Sequence, residues 1–470
     1  MLSKAVSFIN DIIWSPALVV LLIFAGVYFS FRSRFVQVRR LGLMVRSLFA
    51  ESAGDRKNGI SSFEAFCIAL SGRVGTGNII GVATAIALGG PGAIFWMWLI
   101  AFFGASTAFV ESTLAQRYRF KHETGYRGGP AMYIEKAQGQ RWLGILFAIL
   151  SIIGYGLFLT TVQANGVSSE MANTFRISPL VSGLALAGLL ALVVIGGIKS
   201  IAKVASVITP FMAAGYIIIT IIVLVSHSDA IPGVLKAIVT QAFGINPVCG
   251  GILGSTIMMG VKRGIFSNEA GQGGGAIVSA SADVPHPARQ GLAQAFSVYV
   301  DTLLVCTATA LMILCSGTYN ILDGEGNILV ANAPELGANY VGFTQAAVDS
   351  VLHGFGGTFV SIALIFFVFS TVMAYYFYGE SSIFYLFRKK EGAPADPLRD
   401  KRRARGERIV LWLFRFGLLS AVIFGALREA DVIWQLGDIG VGLTAWINVI
   451  ALILLCPIAF KDLKDYEKSH

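Results

Sequence analysis

The chain has 470 residues, 55% hydrophobic and 13% charged, with a net charge of +9 and a mean hydropathy of +0.71. Soluble domains carry about 25% charged residues, so an ordinary soluble globular protein is excluded. The five cysteines, Cys67, Cys249, Cys306, Cys315 and Cys456, fall within or beside apolar segments without CxxC spacing. They read as small core residues rather than as metal ligands or a disulfide framework.

In chain order, "IIWSPALVVLLIFAGVYFSF" at 12–31 is long enough to cross about 30 Å of hydrocarbon at 1.5 Å rise per residue. It starts late, is full length and lacks a small-residue cleavage site, unlike a signal peptide. Further apolar runs follow at 62–89, 91–116, 142–168, 179–197, 204–226, 234–280 (interrupted), 288–316, 346–386, 408–427 and 431–459. No ten-residue alternation of a β-barrel is seen. The expectation is an all-α polytopic membrane protein with eleven transmembrane helices.

The charge between the spans is one-sided. Residues 32–60 hold Arg32, Arg34, Arg39, Arg40, Arg46, Arg56 and Lys57, 117–141 carry six more basic side chains, and "RKKEGAPADPLRDKRRARGER" carries nine. The 317–345 connection has neither Lys nor Arg. With eleven spans, every basic connection and the C-terminal "KDLKDYEKSH" fall on one side. Lys/Arg bias sets orientation, so the N-terminus is expected outside and the C-terminus in the cytoplasm. The basic surplus is thereby topological, and nucleic-acid binding is set aside.

Two spans are broken. "SGRVGTGNIIG", Ser71–Gly81, holds four glycines, and "MMGVKRGIFSNEAGQGGGAI", Met258–Ile277, holds six together with Lys262, Arg263, Asn268 and Glu269. Unpaired backbone groups in hydrocarbon cost several kcal/mol each, so such breaks need partners from protein, ion or substrate. They open two five-span halves, spans two to six and seven to eleven, and an odd number of spans per half inserts the halves in opposite orientations. Interrupted segments at matching positions of two halves point to a transporter's central site, although glycines also serve close helix packing. Freed N–H groups at a half-helix N-terminus suit a carboxylate, and freed carbonyls suit sodium. A sodium-coupled carrier of amino acids uses every feature of the two breaks. The expected organisation is an N-terminal helix and basic connection (1–60), a first inverted repeat (61–226), a second (227–460) and a cytoplasmic tail (461–470).

The stretches "GRVGTGNIIGVATAIALGGPGAIFWMWLIAFFGASTAFVESTLAQRYR", "QAN" at 163–165, "GVKRGIFSNEAGQG" and "YYFYGE" in the ninth span resemble the bacterial and archaeal alanine/glycine:cation symporter family, over about residues 60–460. That family is similar in fold to sodium-coupled transporters of the leucine-transporter type, with two inverted five-helix repeats. The resemblance implies sodium-coupled uptake of alanine or glycine, with serine or glutamine as further substrates, in a bacterial or archaeal plasma membrane. It implies that Thr76, Gly77 and Asn78 surround the substrate carboxylate, that Phe266, Ser267 and Asn268 meet the substrate at the second break, and that Gln163 contacts it from the fourth span. It also implies sodium ligands from the Ser370 and Thr371 hydroxyls with the Ser71 and Val74 carbonyls. The chain departs from the family where Ala374-Tyr375 replaces a common Gly-Trp pair and "GGGAI" replaces Gly-Ser-Ala-Pro. Tyr375 therefore enters the pocket wall as a specificity residue, or else packs against Phe266. The oligomeric state is left open, a monomer included.

Intramembrane ionisable residues are costly unless paired, which singles out Arg73, Glu111, Lys262, Arg263, Glu269, Asp301 and Glu380; for Glu111 and Asp301 an internal ion pair is the favoured reading. A proton taken up by a buried carboxylate keeps proton coupling as an alternative. The five histidines fall near span ends and read as solvated, and Trp96, Trp98, Trp142, Trp434 and Trp446 read as interface anchors. "GTGNIIG" lacks the strand and lysine of a nucleotide-binding loop. An intramembrane enzyme needs a nucleophile and base or a metal cluster, yet no histidine lies inside a span. A channel has no use for breaks that bind both ends of an amino acid.

Overall fold

In the computed structural model, residues 2–49, 59–244, 253–323, 325–389 and 396–469 are described; Arg56, Lys57, Cys249 and Lys390 lie outside them. Among the described residues, eight helices are long and apolar enough to cross a membrane, nine when the bent pair Ser62–Arg73 and Gly77–Gly89 is taken as one span. Two of the eleven expected spans fall outside that count. Pro179–Val194 has 16 residues, short of the roughly 20 that cross hydrocarbon without help. The interrupted seventh run divides into Ile231–Gln241, Leu253–Asn268 and Gly274–Ser279.

Several boundaries move for local reasons. The ninth span begins at Gly356 rather than 346, because Tyr340–Asp349 is a separate helix capped by the Asn339 side chain. The tenth begins at Pro397, where the Asp396 carboxylate accepts hydrogen bonds from the Leu398 and Arg399 amides, each 3.1 Å. Asp before Pro is a strong helix start, so the basic run from Arg399 to Arg408 is helical. The last helix, Ala430–Lys468, extends through the expected tail, with Leu463 and Tyr466 buried. Two antiparallel ribbons, Phe120–His122 with Gly125–Arg127 and Asn320–Leu322 with Ile328–Ala331, sit in the connections.

The bundle is apolar outside and polar at its centre. Val20, Phe211, Val225, Leu413 and Leu454 are exposed, whereas Arg73, Asn78, Glu111, Gln163, Glu269 and Asp301 are buried. Helices meet where small residues admit close approach: Gly26 lies against Phe103, and a Cβ there would come within 2.7 Å of the Phe103 Cβ. The first helix is tied to the last, as Trp14 Nε1 donates to the Asp438 carbonyl (2.8 Å) and Trp446 Nε1 to the Ile13 carbonyl (3.0 Å). Cys67, Cys306, Cys315 and Cys456 are free and buried.

Candidate functional site

The first break follows from its glycines. Helix Ser62–Arg73, opened by a Ser61/Glu64 capping box, stops at Val74, whose φ −81° and ψ 92° are extended. The chain resumes as a π-helical turn, Gly77–Gly81, and then as Val82–Gly89, bent by 52°. At Gly75 a side chain would displace its neighbours: a Cβ would lie 2.7 Å from Gln163 Oε1 and 2.8 Å from Thr371 Oγ1.

The freed backbone groups here are held by side chains. The Gly75 amide donates to Asn78 Oδ1 (2.8 Å) and the Thr76 amide to Gln163 Oε1 (3.0 Å). Thr371 Oγ1 lies 2.8 Å from the Ser71 carbonyl, 3.0 Å from that of Val74 and 2.8 Å from that of Phe367. Ser370 Oγ turns to the same Phe367 carbonyl at 2.9 Å. Five oxygens from two helices thus gather in one place. The Phe367 carbonyl was missed by sequence reasoning, since a main-chain oxygen in an ordinary helix carries no residue signal.

The second break runs from Glu269 to Gly273 and uses left-handed backbone at Glu269 (φ 54°), Gly271 (φ 84°) and Gly273 (φ 96°). Its main chain is held by buried structural groups. Arg73 Nε donates to the Asn268 carbonyl (2.7 Å), Gln272 Nε2 to the Ile265 carbonyl (2.6 Å) and Asn448 Nδ2 to the Gly271 carbonyl (2.9 Å). The Asn268 side chain caps its own break, accepting from the Ala270 amide at 3.0 Å.

The two breaks face each other. A Cβ at Gly77 would stand 3.1 Å from Phe266 Cδ1 and 3.3 Å from Ser267 Cα. Asp301 ties them together: its carboxylate accepts from Asn78 Nδ2 (2.7 Å), Ser267 Oγ (3.0 and 3.1 Å) and Thr302 Oγ1 (2.7 Å). Asp301 lies on a π-helical segment, Tyr299–Cys306, of the kind that often marks a functional position. Several buried polar atoms around the breaks have no partner, among them Thr76 Oγ1, Asn268 Nδ2 and Glu269 Oε1. Buried polar groups are normally satisfied, so the donor and acceptor set has room for a polar guest.

The wall differs from one expectation. The Tyr375 ring stands 5.5 Å from Tyr155 and 5.9 Å from Tyr378, with no ring contact to Phe266 among the described residues, and its hydroxyl lies beside Gln163. Phe266 meets Trp434 at 5.1 Å, so Trp434 packs on the second break. Tyr155 comes from a third π-helical segment, Gly154–Leu159, within the long helix Arg141–Phe175.

The ionisable residues sort by partner. Asp438 forms a buried cluster with Arg263 (2.6 Å) and Lys262 (2.8 Å), and the Arg263 guanidinium stacks over Trp434 and Phe266 at 4.9 and 5.3 Å. Glu380 pairs with Arg127 at 3.4 Å. The favoured ion pairs of Glu111 and Asp301 do not form among the described residues. Glu111 accepts from Asn448 Nδ2 at 3.0 Å, and Glu269 from the Tyr378 hydroxyl at 3.1 Å. A large neutral amide reaches Glu111 because Asn448 bridges it to the second break. His122 is half-buried, stacked on Phe384 at 4.0 Å and paired with Glu407 at 3.3 Å, rather than solvated.

A family model described as the sodium:alanine symporter family matches residues 1–470. The chain is 42% identical over 414 residues to a sodium/proton-dependent alanine carrier protein of Bacillus sp. (strain PS3), covering 87% of this chain and 89% of the relative. It is 42% identical over 468 residues to "Probable sodium/glutamine symporter GlnT" of Bacillus subtilis (strain 168), covering 100% and 91%. It is 34% identical over 470 residues to the sodium/alanine symporter AgcS of Methanococcus maripaludis, covering 98% and 97%. Among solved structures, MhsT in complex with L-phenylalanine aligns with a TM-score of 0.56 at 14% identity, covering 86% of this chain and 98% of that one. At that identity the likeness concerns fold alone, which is of the leucine-transporter type.

Proposed function

The chain belongs to the sodium:alanine symporter family, and from that premise we propose how its two breaks carry the cargo. The protein is a transporter and not an enzyme, and it couples sodium to the movement of small neutral amino acids. The observation that carries the reading is the cluster of Ser71, Val74 and Phe367 carbonyls around the Thr371 hydroxyl. Carbonyls freed at a broken helix, joined by hydroxyls, are the ligand set that a sodium ion takes in such transporters. Ser71, Val74, Ser370 and Thr371, with Phe367 added, are proposed as the sodium ligands.

The substrate is proposed to lie between the breaks, among Thr76, Gly77, Asn78, Gln163, Phe266, Ser267, Asn268 and Tyr375. Its carboxylate faces the turn that opens at Gly77, where the half-helix Val82–Gly89 begins and its N-terminal dipole favours an anion. Asp301, within hydrogen-bonding distance of both Asn78 and Ser267, offers the carboxylate that balances a cation or an ammonium group between them. The Lys/Arg asymmetry supports an N-terminus outside, a C-terminus inside and insertion in the plasma membrane. In that orientation the Arg263–Lys262–Asp438 cluster stands above Phe266 and Trp434 on the outer side, where its breaking opens the site outward. Residues 61–226 and 227–460 are the proposed repeats that move against each other in alternating access.

Sodium-gradient-driven uptake in proteoliposomes, competed with L- and D-amino acids, tests the reading. Uptake is expected to collapse when choline replaces sodium, and alanine, glycine, serine or glutamine are expected to compete best. Uptake indifferent to sodium would falsify it. A second reading, proton coupling, is favoured by Glu111, Glu269 and Asp301, which are buried without an ion pair among the described residues. A pH dye trapped in the same vesicles distinguishes it, since proton entry must then accompany alanine entry.

A further inference from the structure

The surface at one end of the bundle holds a cavity of about 400 Å³ that the transport reading does not use. It is formed where the end of helix Pro16–Arg32 in the first span and its following turn meet the end of the last helix, Ala430–Lys468. Its walls carry six cations, Arg32, Arg34, Arg39, Arg40, Lys464 and Lys468, against one carboxylate, Glu467, with Phe460 and Leu463 as an apolar side.

Glu467 is used up internally: Arg39 Nη1 lies 2.7 Å and Arg40 Nε 2.9 Å from the same oxygen. Arg32, Arg34, Lys464 and Lys468 form no ion pair among the described residues. The turn that presents them is held in a costly form. Arg34 and Phe35 are both left-handed, with φ of 55° and 54°, a conformation that side chains other than glycine rarely adopt. Arg39 secures it by donating to the Ser33 and Arg34 carbonyls at 3.3 and 3.4 Å, while the Phe35 amide donates to the Ser30 carbonyl at 2.7 Å.

A topological charge bias accounts for Lys and Arg at this end, but not for their convergence on one concave, uncompensated site. The contrast with a second basic cavity on the molecule makes the point. There Arg119, Lys121, Arg388, Lys389 and Arg403 share the walls with Glu123, Asp400 and Glu407, and two of the cations are paired, Lys389 with Asp400 at 3.1 Å and Arg388 with Glu135. That cavity has three carboxylates for its five cations, whereas the first has one for six.

The two helices that lead to the first cavity are lipid-facing, exposing Val20, Phe24 and Phe31 on one and Ile450 and Leu454 on the other. We propose that the cavity lined by Arg32, Arg34, Arg39, Arg40, Lys464 and Lys468 binds the phosphodiester headgroup of an anionic phospholipid whose acyl chains lie against these helices. Guanidinium groups match phosphate oxygens in pairs, and basic pockets at helix ends near the membrane surface are suited to anionic headgroups. Arg39 and Arg40, already tied to Glu467, shape the cavity, while the four unpaired cations hold the phosphate.

The test is native mass spectrometry of the full-length protein in detergent, titrated with phosphatidylglycerol or phosphatidylcholine, and separately with inorganic phosphate. The wild type is expected to retain phosphatidylglycerol and not phosphatidylcholine. Arg32→Gln/Arg34→Gln/Lys464→Gln is expected to lower that retention by about tenfold or more. The charge-keeping variant Arg32→Lys/Arg34→Lys/Lys464→Arg, and Arg399→Gln/Arg402→Gln/Arg405→Gln elsewhere on the basic helix, are expected to keep it. Equal retention of the two lipids by the wild type, or undiminished phosphatidylglycerol on the first variant, overturns the proposal. Displacement of phosphatidylglycerol by millimolar inorganic phosphate assigns the cavity to a soluble anion and also overturns the lipid reading.

Discussion

The two breaks solve the same problem with different groups. At the first, freed amides and carbonyls are met by side chains from distant helices, Gln163 and Thr371, and by the nearby Asn78. At the second, they are met by Arg73, Gln272 and Asn448, which belong to a buried polar framework. The first break therefore has partners that are themselves proposed ligands, so a guest exchanges with them at little cost. The second is pinned by that framework, and the Asn268 Nδ2 and Glu269 Oε1 side-chain atoms beside it have no partner. A broken helix at membrane depth is in itself only an obligation to supply partners. Whether those partners are replaceable decides whether the break is a binding site or a hinge support.

The strongest way to break this contrast is to fill the first break. Gly75→Val places atoms where Gln163 and Thr371 meet, and transport is expected to fall by about 100-fold or more, about 2.7 kcal/mol in transition-state terms, with membrane insertion intact. Near-normal uptake by a correctly inserted variant removes the first break from the site. Next, Asp301→Asn removes the carboxylate shared by Asn78 and Ser267. Uptake is expected to drop by about tenfold or more, since polar partners of a removed charge are left poorly matched. Glu269→Gln, which keeps a hydrogen-bond acceptor for the Tyr378 hydroxyl, is expected to cost less, and the reverse order would make the second break the dominant one.

The proposed sodium ligands offer a finer comparison within one helix. Thr371 reaches three carbonyls, whereas Ser370 reaches only that of Phe367 among them. Thr371→Ala is expected to raise the sodium concentration for half-maximal uptake by about tenfold, and Ser370→Ala by roughly threefold or less. Equal shifts would mean that the two hydroxyls contribute alike. The smallest effect is expected at Tyr375, whose hydroxyl lies beside Gln163. Tyr375→Phe removes one hydrogen-bonding group, worth about 1 kcal/mol, and should weaken serine and glutamine relative to alanine by roughly fivefold. An unchanged competition ranking takes Tyr375 out of the specificity argument.

Much of the plan was legible in the chain itself. Long apolar runs, one-sided Lys and Arg, and glycine clusters inside two spans foretold a helical membrane protein with two broken helices, because hydrocarbon imposes those patterns on any sequence that crosses it. Helix ends were read less well where capping decided them, as at Asp396-Pro397, since the polarity of the basic run masked a helix. The shorter Pro179–Val194 reads as a span by apolarity and falls short by length.

What the sequence alone determined is chemistry that acts residue by residue: burial in lipid, the one-sided placement of Lys and Arg, and the backbone freedom of glycine at Ser71–Gly81 and Met258–Ile277. Only the tertiary structure decided which groups converge. The Phe367 carbonyl at the proposed sodium cluster, the meeting of Asp301 with both breaks, the placing of Phe266 against Trp434, and the π-helical turns that carry Gly77, Tyr155 and Asp301 all depend on the relative placement of helices far apart in the chain. A main-chain oxygen has no residue identity, and a π-turn differs from an α-turn by one residue of register. Both are set by packing between helices, after each helix has already satisfied its own backbone.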